Sequence, residues 1–131
     1  MATAERTFVD TDILINLARG VPRAVQFCRR AEVRGGLACS VISLLELLAG
    51  CHTPQEQSTT LKSMTDVTVV HIESGDSVDA LQWYRTYHLS QGMGILDCLI
   101  AASATRLGCT LHTLNTKHFR IIPGLQIKRP D

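Results

Sequence analysis

The sequence has no long hydrophobic run, and this absence argues against a membrane-spanning protein. Asp, Glu, Arg or Gly interrupts every apolar stretch before it reaches the length of a bilayer span. The N-terminal segment MATAERTFVDTD also lacks the basic stretch and long apolar segment of a secretory signal peptide. We therefore expect a cytoplasmic protein with no membrane partner.

The sequence also lacks cysteines at a metal-binding spacing. Its cysteines occur singly, without a CxxC motif, and this pattern disfavours a zinc site. Each one lies beside apolar residues or at the end of a predicted element, so we expect buried thiols in a reducing compartment. They are Cys28, Cys39, Cys51, Cys98 and Cys109.

A strong excess of charge is missing as well, because 13 Lys and Arg residues nearly balance 12 Asp and Glu residues. A domain that grips nucleic acid by phosphate contacts alone is usually far more basic. Any nucleic-acid binding must therefore use a local site. Near the C-terminus, five residues either contact nucleic-acid phosphates or form a solvated surface: Lys117, His118, Arg120, Lys128 and Arg129.

What the sequence does contain is the pattern of one folded domain over residues 1–131, with 45% hydrophobic and 19% charged residues. It has no internal repeat and no linker long enough to separate domains. Short apolar strands alternate with helical stretches. This alternation predicts an α/β fold with a parallel sheet of about four to five strands, flanked by helices on both faces.

The predicted boundaries follow from capping residues, glycines and prolines. Strands are predicted at residues 7–9, 37–42, 67–72, 109–114 and 125–127. Helices are predicted at residues 13–18, 22–33, 43–50, 54–64, 77–88 and 95–107.

Three carboxylates occupy positions that call for a chemical reason. Asp10 follows the first strand, Glu46 lies just past the second, and Asp97 lies one turn into a very apolar helix. Burying an ionised carboxylate without a partner is costly, and a divalent cation would relieve the repulsion among three of them. Oxygen ligands suit Mg²⁺ or Mn²⁺, and two such ions roughly 3.5–4 Å apart would support phosphodiester hydrolysis.

Structural interpretations of the same acids remain open from the residues alone. Asp10 and Asp12 could both cap the first helix, and Ser43 with Glu46 fits a capping box. Asp97 could simply stabilise the N-terminus of its helix through the helix dipole. The occurrence of all three acids in this order, at a strand end or in a buried helix, favours a catalytic site at the carboxyl edge of the sheet.

Three blocks of the sequence together resemble the PIN-domain family, and specifically its VapC-type toxins. They are FVDTDILINLARG, SVISLLELLAG and GILDCLIAASATRLGCTLHTLNTKHFRIIPGLQI. The resemblance implies that Asp10, Glu46 and Asp97 are the catalytic, metal-binding acids. It also matches Thr113 and Asn115 to the polar TxN segment that lies near the metal site.

Two further positions differ from the family's usual residues. Asp12 stands where these proteins commonly carry asparagine, and the resemblance implies that it hydrogen-bonds beside the first acid. The family's fourth acid occurs at the place of Asn115 or of His118, and neither residue is acidic here. This difference leaves open whether the site binds one metal ion or two. It also leaves open whether His118 takes part in substrate binding or proton transfer.

The resemblance implies a metal-dependent endoribonuclease toxin of a type II toxin–antitoxin system, which would use Mg²⁺ or Mn²⁺ to hydrolyse RNA and inhibit translation. It also implies a homodimer and a VapB-like antitoxin whose tail covers the site. Two alternatives remain: a PIN-domain nuclease that acts in RNA maturation, and a catalytically weakened PIN domain that binds RNA or a partner without cutting.

Overall fold

The computed structural model describes residues 6–130, and this range contains five parallel strands and seven helices. The strands are β1 (Thr7–Val9), β2 (Leu37–Ser40), β3 (Thr68–Val70), β4 (Leu111–His112) and β5 (Ile127–Lys128). The helices are α1 (Thr11–Ala18), α2 (Pro22–Val33), α3 (Val41–Ala49), α4 (Pro54–Ser63), α5 (Ser74–Gln91), α6 (Ile95–Leu107) and α7 (Thr116–Phe119). The predicted α/β class is confirmed.

The strand order β3-β2-β1-β4-β5 puts the first strand at the centre of the sheet. Phe8 is in register with Ala38 of β2 on one side and with Leu111 of β4 on the other. After β1 the chain continues to β2 on one side of the sheet, whereas after β4 it continues to β5 on the other side. The connections therefore diverge between the neighbouring strands β1 and β4. In parallel sheets such a divergence opens a crevice beyond the carboxyl ends of the strands.

Helices cover both faces of the sheet, as predicted. Neighbouring residues of β1 point to opposite faces, because strand side chains alternate. Phe8 packs in a buried cluster with Ile100 of α6, whereas Val9 packs in a second cluster with Ile13 of α1. Together, the two clusters hold the central strands rigidly beneath the crevice.

Local signals predicted some boundaries correctly. Helix α2 begins at Pro22 and α6 spans Ile95–Leu107, as expected from the proline and from Gly108, whose φ is 67°. The exposed helix α4 was also predicted, and its residues include none that is buried. The prediction of buried thiols is confirmed for Cys28, Cys39, Cys98 and Cys109, whereas Cys51 is only half-buried.

The boundary between β2 and α3 differs from the prediction. The strand was expected to run to residue 42, but Ser40 ends it and acts as the N-cap of α3 by accepting a hydrogen bond from Ile42 N at 3.0 Å. The capping box of Ser43 and Glu46, one of the structural alternatives, is therefore not formed. Ser43 is buried inside α3, and this shift turns Glu46 towards α1.

Other elements also differ in length from the predictions. Helix α5 begins at residue 74 rather than 77 because Glu73 N donates to Asp76 Oδ2 at 3.0 Å, which caps the helix earlier. The strands β3, β4 and β5 are shorter or shifted, and the short helix α7 was not predicted. None of the helices between residues 6 and 130 combines the length and apolar character needed to cross a membrane.

Candidate active site

Asp10 lies at the carboxyl end of β1, where it is 6% exposed. Its backbone N–H donates to His112 O at 2.9 Å, so the pairing of β1 with β4 positions it. Its Oδ1 accepts from Thr11 N, and its Oδ2 from Thr113 Oγ1, both at 2.8 Å. Burial, with the negative charge of Asp12, raises the pKa of Asp10 to about 6, although these hydrogen bonds oppose the rise.

Asp12 does not cap α1, as was thought possible from the sequence, because Asp10 is the N-cap residue. Asp12 Oδ2 instead accepts from Leu114 N at 3.0 Å and lies 3.4 Å from Thr113 Oγ1. Its Oδ1 is buried and has no hydrogen-bond partner within the described residues. Burial raises the pKa of Asp12, although its hydrogen bonds and the positive charge of Arg129 act to lower it. A buried oxygen of this kind is suited to a cation or a donor from a ligand.

Glu46 reaches the same edge of the sheet from α3. Its Oε1 accepts from Thr11 Oγ1 at 2.7 Å, and the same hydroxyl lies 2.8 Å from Ser43 Oγ. Sequence reasoning missed Thr11, although it stands between Asp10 and Asp12 in the first block. Its backbone N–H binds one predicted acid while its hydroxyl binds another, so Thr11 connects the two carboxylates.

Asp97 faces a residue that sequence reasoning could not pair with it. Its Oδ2 lies 3.2 Å from Nε2 of His118, on the unpredicted helix α7. Burial raises the pKa of Asp97, the positive charge of His118 opposes the rise, and the charges of Glu46 and Asp12 add to it. His118 thus faces Asp97 from one of the two positions at which the family's fourth acid was expected.

The structure therefore brings the predicted acids Asp10, Glu46 and Asp97 to one edge, together with Asp12. Asp97 contributes to the raised pKa of Asp10, and Glu46 and Asp12 contribute to that of Asp97, so the four charges repel one another. Thr113 lies between two of the acids. Asn115 is exposed, and its backbone N–H donates to Thr113 Oγ1 at 3.0 Å. We call Asp10, Asp12, Glu46 and Asp97 the carboxylate cluster.

The carboxylate cluster fits a divalent cation by its chemistry. Its ligands are oxygens, its charges repel one another, and Asp12 Oδ1 is buried without a hydrogen bond. Within residues 6–130, however, no three acidic, histidine or cysteine side chains converge as a metal site requires. Glu46 accepts a hydrogen bond from Thr11, and Asp97 contacts His118. To bind a metal ion, Glu46 and Asp97 would have to give up these two contacts.

The structure defines a parallel α/β protein with acidic side chains at the carboxyl edge of its sheet. Comparison with known families then identifies the family to which the chain belongs. Residues 7–125 match the PIN domain, and the chain belongs to that family. It is similar to the ribonuclease VapC10 of Mycobacterium tuberculosis, with 35% identity over 120 residues, which cover 90% of this chain and 89% of that protein. The resemblance drawn from the three sequence blocks is confirmed.

Solved structures confirm the fold. A toxin–antitoxin complex from Klebsiella pneumoniae matches with a TM-score of 0.76 and 25% identity, over 95% of this chain and 98% of that one. VapBC-1 from nontypeable Haemophilus influenzae matches with a TM-score of 0.77 and 25% identity, over 95% of this chain and 97% of that one.

Proposed function

We propose that this protein is a metal-dependent endoribonuclease, the toxin of a type II toxin–antitoxin pair, which hydrolyses RNA in the cytoplasm and inhibits translation. The observation that carries the proposal is the carboxylate cluster at the carboxyl edge of a PIN-domain sheet. The similarity to a protein named as a ribonuclease supports the choice of RNA as the substrate.

Each polar residue of the site has a chemical role in this proposal. Asp10, Glu46 and Asp97 are the catalytic acids that hold Mg²⁺ or Mn²⁺. Bound metal would supply an activated water and neutralise charge on the phosphate. Thr113 keeps Asp10 oriented through its hydroxyl, and Asp12 fixes the backbone after β4 by accepting from Leu114 N.

Asn115 and His118 are the auxiliary residues that contact the substrate. His118 Nε2 faces Asp97 at 3.2 Å, so an ion on Asp97 would release this nitrogen to a phosphate or a leaving oxygen. Asn115 is exposed beside Thr113 and offers its side-chain amide to the same group.

Cleavage of total RNA by the purified, antitoxin-free protein tests the proposal. We expect cleavage with Mn²⁺, none with EDTA, and a loss of at least about 100-fold in Asp97→Asn, because a metal ligand supplies several kcal/mol to the transition state. Asp79→Asn is the matched control, since it removes an exposed carboxylate on α5 and should leave cleavage unchanged. Cleavage that survives both EDTA and Asp97→Asn would refute the proposal.

A second candidate function is RNA or partner binding without cutting. The observation that favours it is the absence of acids at Asn115 and His118. Thermal unfolding in a Mn²⁺ titration separates the two functions. A metal site stabilises the fold by about 2.7 kcal/mol at 100 times the dissociation constant, and Asp97→Asn should remove this gain. A binding-only domain would show neither the gain nor cleavage.

We further propose a VapB-like antitoxin as the protein partner and a homodimer as the toxin's own assembly. The toxin–antitoxin complexes among the structural matches support the first proposal. Four exposed apolar side chains on α5 and α6 support the second: Val78, Leu81, Ile95 and Leu96.

Coexpression with a small gene immediately upstream tests the partner proposal. The two products should copurify, and the antitoxin should suppress cleavage and growth arrest. Light scattering of the purified toxin should give twice the mass of one chain. A monomer that needs no antitoxin for safe expression would instead favour the RNA-maturation alternative.

A further inference from the structure

A basic groove lies between α2 and the strand β5. A cavity of about 230 Å³ lies between α2 and the end of β5, with Arg30 and Arg34 on one side and Lys128 and Arg129 on the other. A neighbouring depression shares Arg30 and adds Arg23. We call these five side chains and the space between them the α2–β5 groove. None of the described residues that line it is acidic.

The α2–β5 groove concentrates positive charge in a protein that is nearly neutral overall. It holds five of the 13 Lys and Arg residues, whereas the formal net charge of the chain is only +1. Arg30, Arg34 and Lys128 are all exposed, so their charges face solvent. Such segregation produces the local phosphate-binding site that the overall charge does not supply.

Two aromatic rings line the inner part of the groove. Phe27 and His112 are half-buried, with ring centroids 5.3 Å apart. Burial lowers the pKa of His112, and the charge of Lys128 lowers it further, so this ring is neutral at pH 7. The groove therefore combines basic side chains with an aromatic surface, the combination that binds single-stranded nucleic acid by phosphate contacts and base stacking.

The groove is connected to the carboxylate cluster through neighbouring residues and hydrogen bonds. Arg129 Nη1 donates to Leu114 O at 2.7 Å, and Leu114 N in turn donates to Asp12 Oδ2 at 3.0 Å. On β4, His112 lines the groove and the next residue, Thr113, binds Asp10. The residues that line the groove and those that bind the acids therefore belong to the same strand end.

We propose that the α2–β5 groove binds the backbone of single-stranded RNA next to the bond that is cut. This inference rests on the proposed nuclease function and names a substrate subsite for it. An acidic peptide could share the charge complementarity, but the aromatic residues and the connection to the acids favour RNA. The groove explains how a nearly neutral protein holds a polyanion.

Binding of fluorescently labelled single-stranded RNA in EDTA tests the groove apart from catalysis. Arg30→Gln with Lys128→Gln should weaken binding about 10- to 30-fold and reduce the slope of log affinity against log salt by about 1.4, the value for two lost phosphate contacts. The control, Lys62→Gln with Arg85→Gln, removes two exposed charges on α4 and α5 and should have little effect. Equal losses in both variants, or a loss in neither, would overturn the proposal.

Cleavage kinetics distinguish failure of the groove from failure of the nuclease proposal. The groove variant should raise KM for a long RNA about 10- to 30-fold and leave kcat unchanged. It should cut a dinucleotide as the wild type does, because the one phosphate of a dinucleotide is at the bond that is cut. Groove-dependent binding without cleavage would refute the nuclease and keep the groove. Cleavage with an unchanged KM, or weakened antitoxin binding with RNA affinity unchanged, would refute the groove. A wild type that neither binds nor cuts RNA would refute both.

Discussion

Replacement of Asp10 by asparagine is expected to reduce RNA cleavage at least about 100-fold while it stabilises the metal-free protein. The two effects have one cause, because Asp10 is held in a buried position beside Asp12 whether or not a cation is bound. Asparagine keeps the shape and can still accept from Thr11 N. Its amide can donate to Thr113 Oγ1, which then turns its own proton towards Asp12 Oδ2.

The pH dependence of this stabilisation follows from the raised pKa of Asp10, about 6 against an ordinary value of about 4. The folded state binds the proton more tightly than the unfolded state, so the wild-type free energy of unfolding falls as pH rises from about 4 to about 6. Asp10→Asn should therefore gain on the order of 2–3 kcal/mol at pH 8, and about half as much at pH 5.

Urea unfolding in EDTA at the two pH values measures the effect. Asp79→Asn is again the control, because its exposed carboxylate should change the free energy of unfolding by less than about 0.5 kcal/mol. A loss of stability at pH 8 in Asp10→Asn would contradict the prediction. It would mean that the two hydrogen bonds to Asp10 outweigh the cost of burying its charge and the repulsion by Asp12.

Asp76→Ala is expected to destabilise the fold by about 3–5 kcal/mol, although Asp76 lies outside the candidate site. Asp76 is 1% exposed and accepts from Arg106 Nε at 2.8 Å, from Ser103 Oγ at 3.0 Å and from Glu73 N at 3.0 Å. Its loss removes the cap of α5 and the bond between α5 and α6. Among residues 6–130, it also leaves Arg106 with Glu73, at 2.9 Å, as its one remaining carboxylate partner.

Acid should weaken the same connection in the wild type. Burial would raise the pKa of Asp76, but the hydrogen bonds from Arg106, Glu73 and Ser103 outweigh it and lower the pKa below its usual value. A carboxylate whose pKa is lowered in the folded state stabilises the fold at neutral pH. This stabilisation is lost as the pH falls through the lowered pKa. Chemical unfolding from pH 7 to pH 3 should show this loss in the wild type but not in Asp76→Ala. Asp79→Ala on the same helix is the control, and a loss below about 1 kcal/mol in Asp76→Ala would contradict the assignment.

The sequence predicted those elements whose ends are set by neighbouring residues. Pro22 begins α2, Gly108 ends α6, and a short β-branched strand leads into Asp10, so these boundaries depend on local chemistry. The boundary at Ser40 was missed because Val41 and Ile42 favour a strand by composition, while the hydrogen bond to the Ser40 side chain favours a helix.

The candidate site was predicted in part for the same reason. The positions of Asp10, Glu46 and Asp97 relative to strand ends and apolar helices are visible in the sequence. The contact of Asp97 with His118 depends on α7, a helix of four residues that is too short for a periodic pattern. The α2–β5 groove joins arginines of α2 to residues almost a hundred positions later, so only the strand order reveals it.

The strand order also determines when the site can form during protein synthesis. The central strand β1 is made first, but β4, its neighbour on one side, begins only at Leu111. Thr113 and Leu114, which bind Asp10 and Asp12, follow more than 100 positions after those acids. A ribosome therefore adds more than 100 residues after Asp10 before the acids gain these hydrogen bonds. In a protein proposed to attack RNA and stop translation, this delay keeps the ribosome that makes it from meeting an assembled site before β4 has been synthesised.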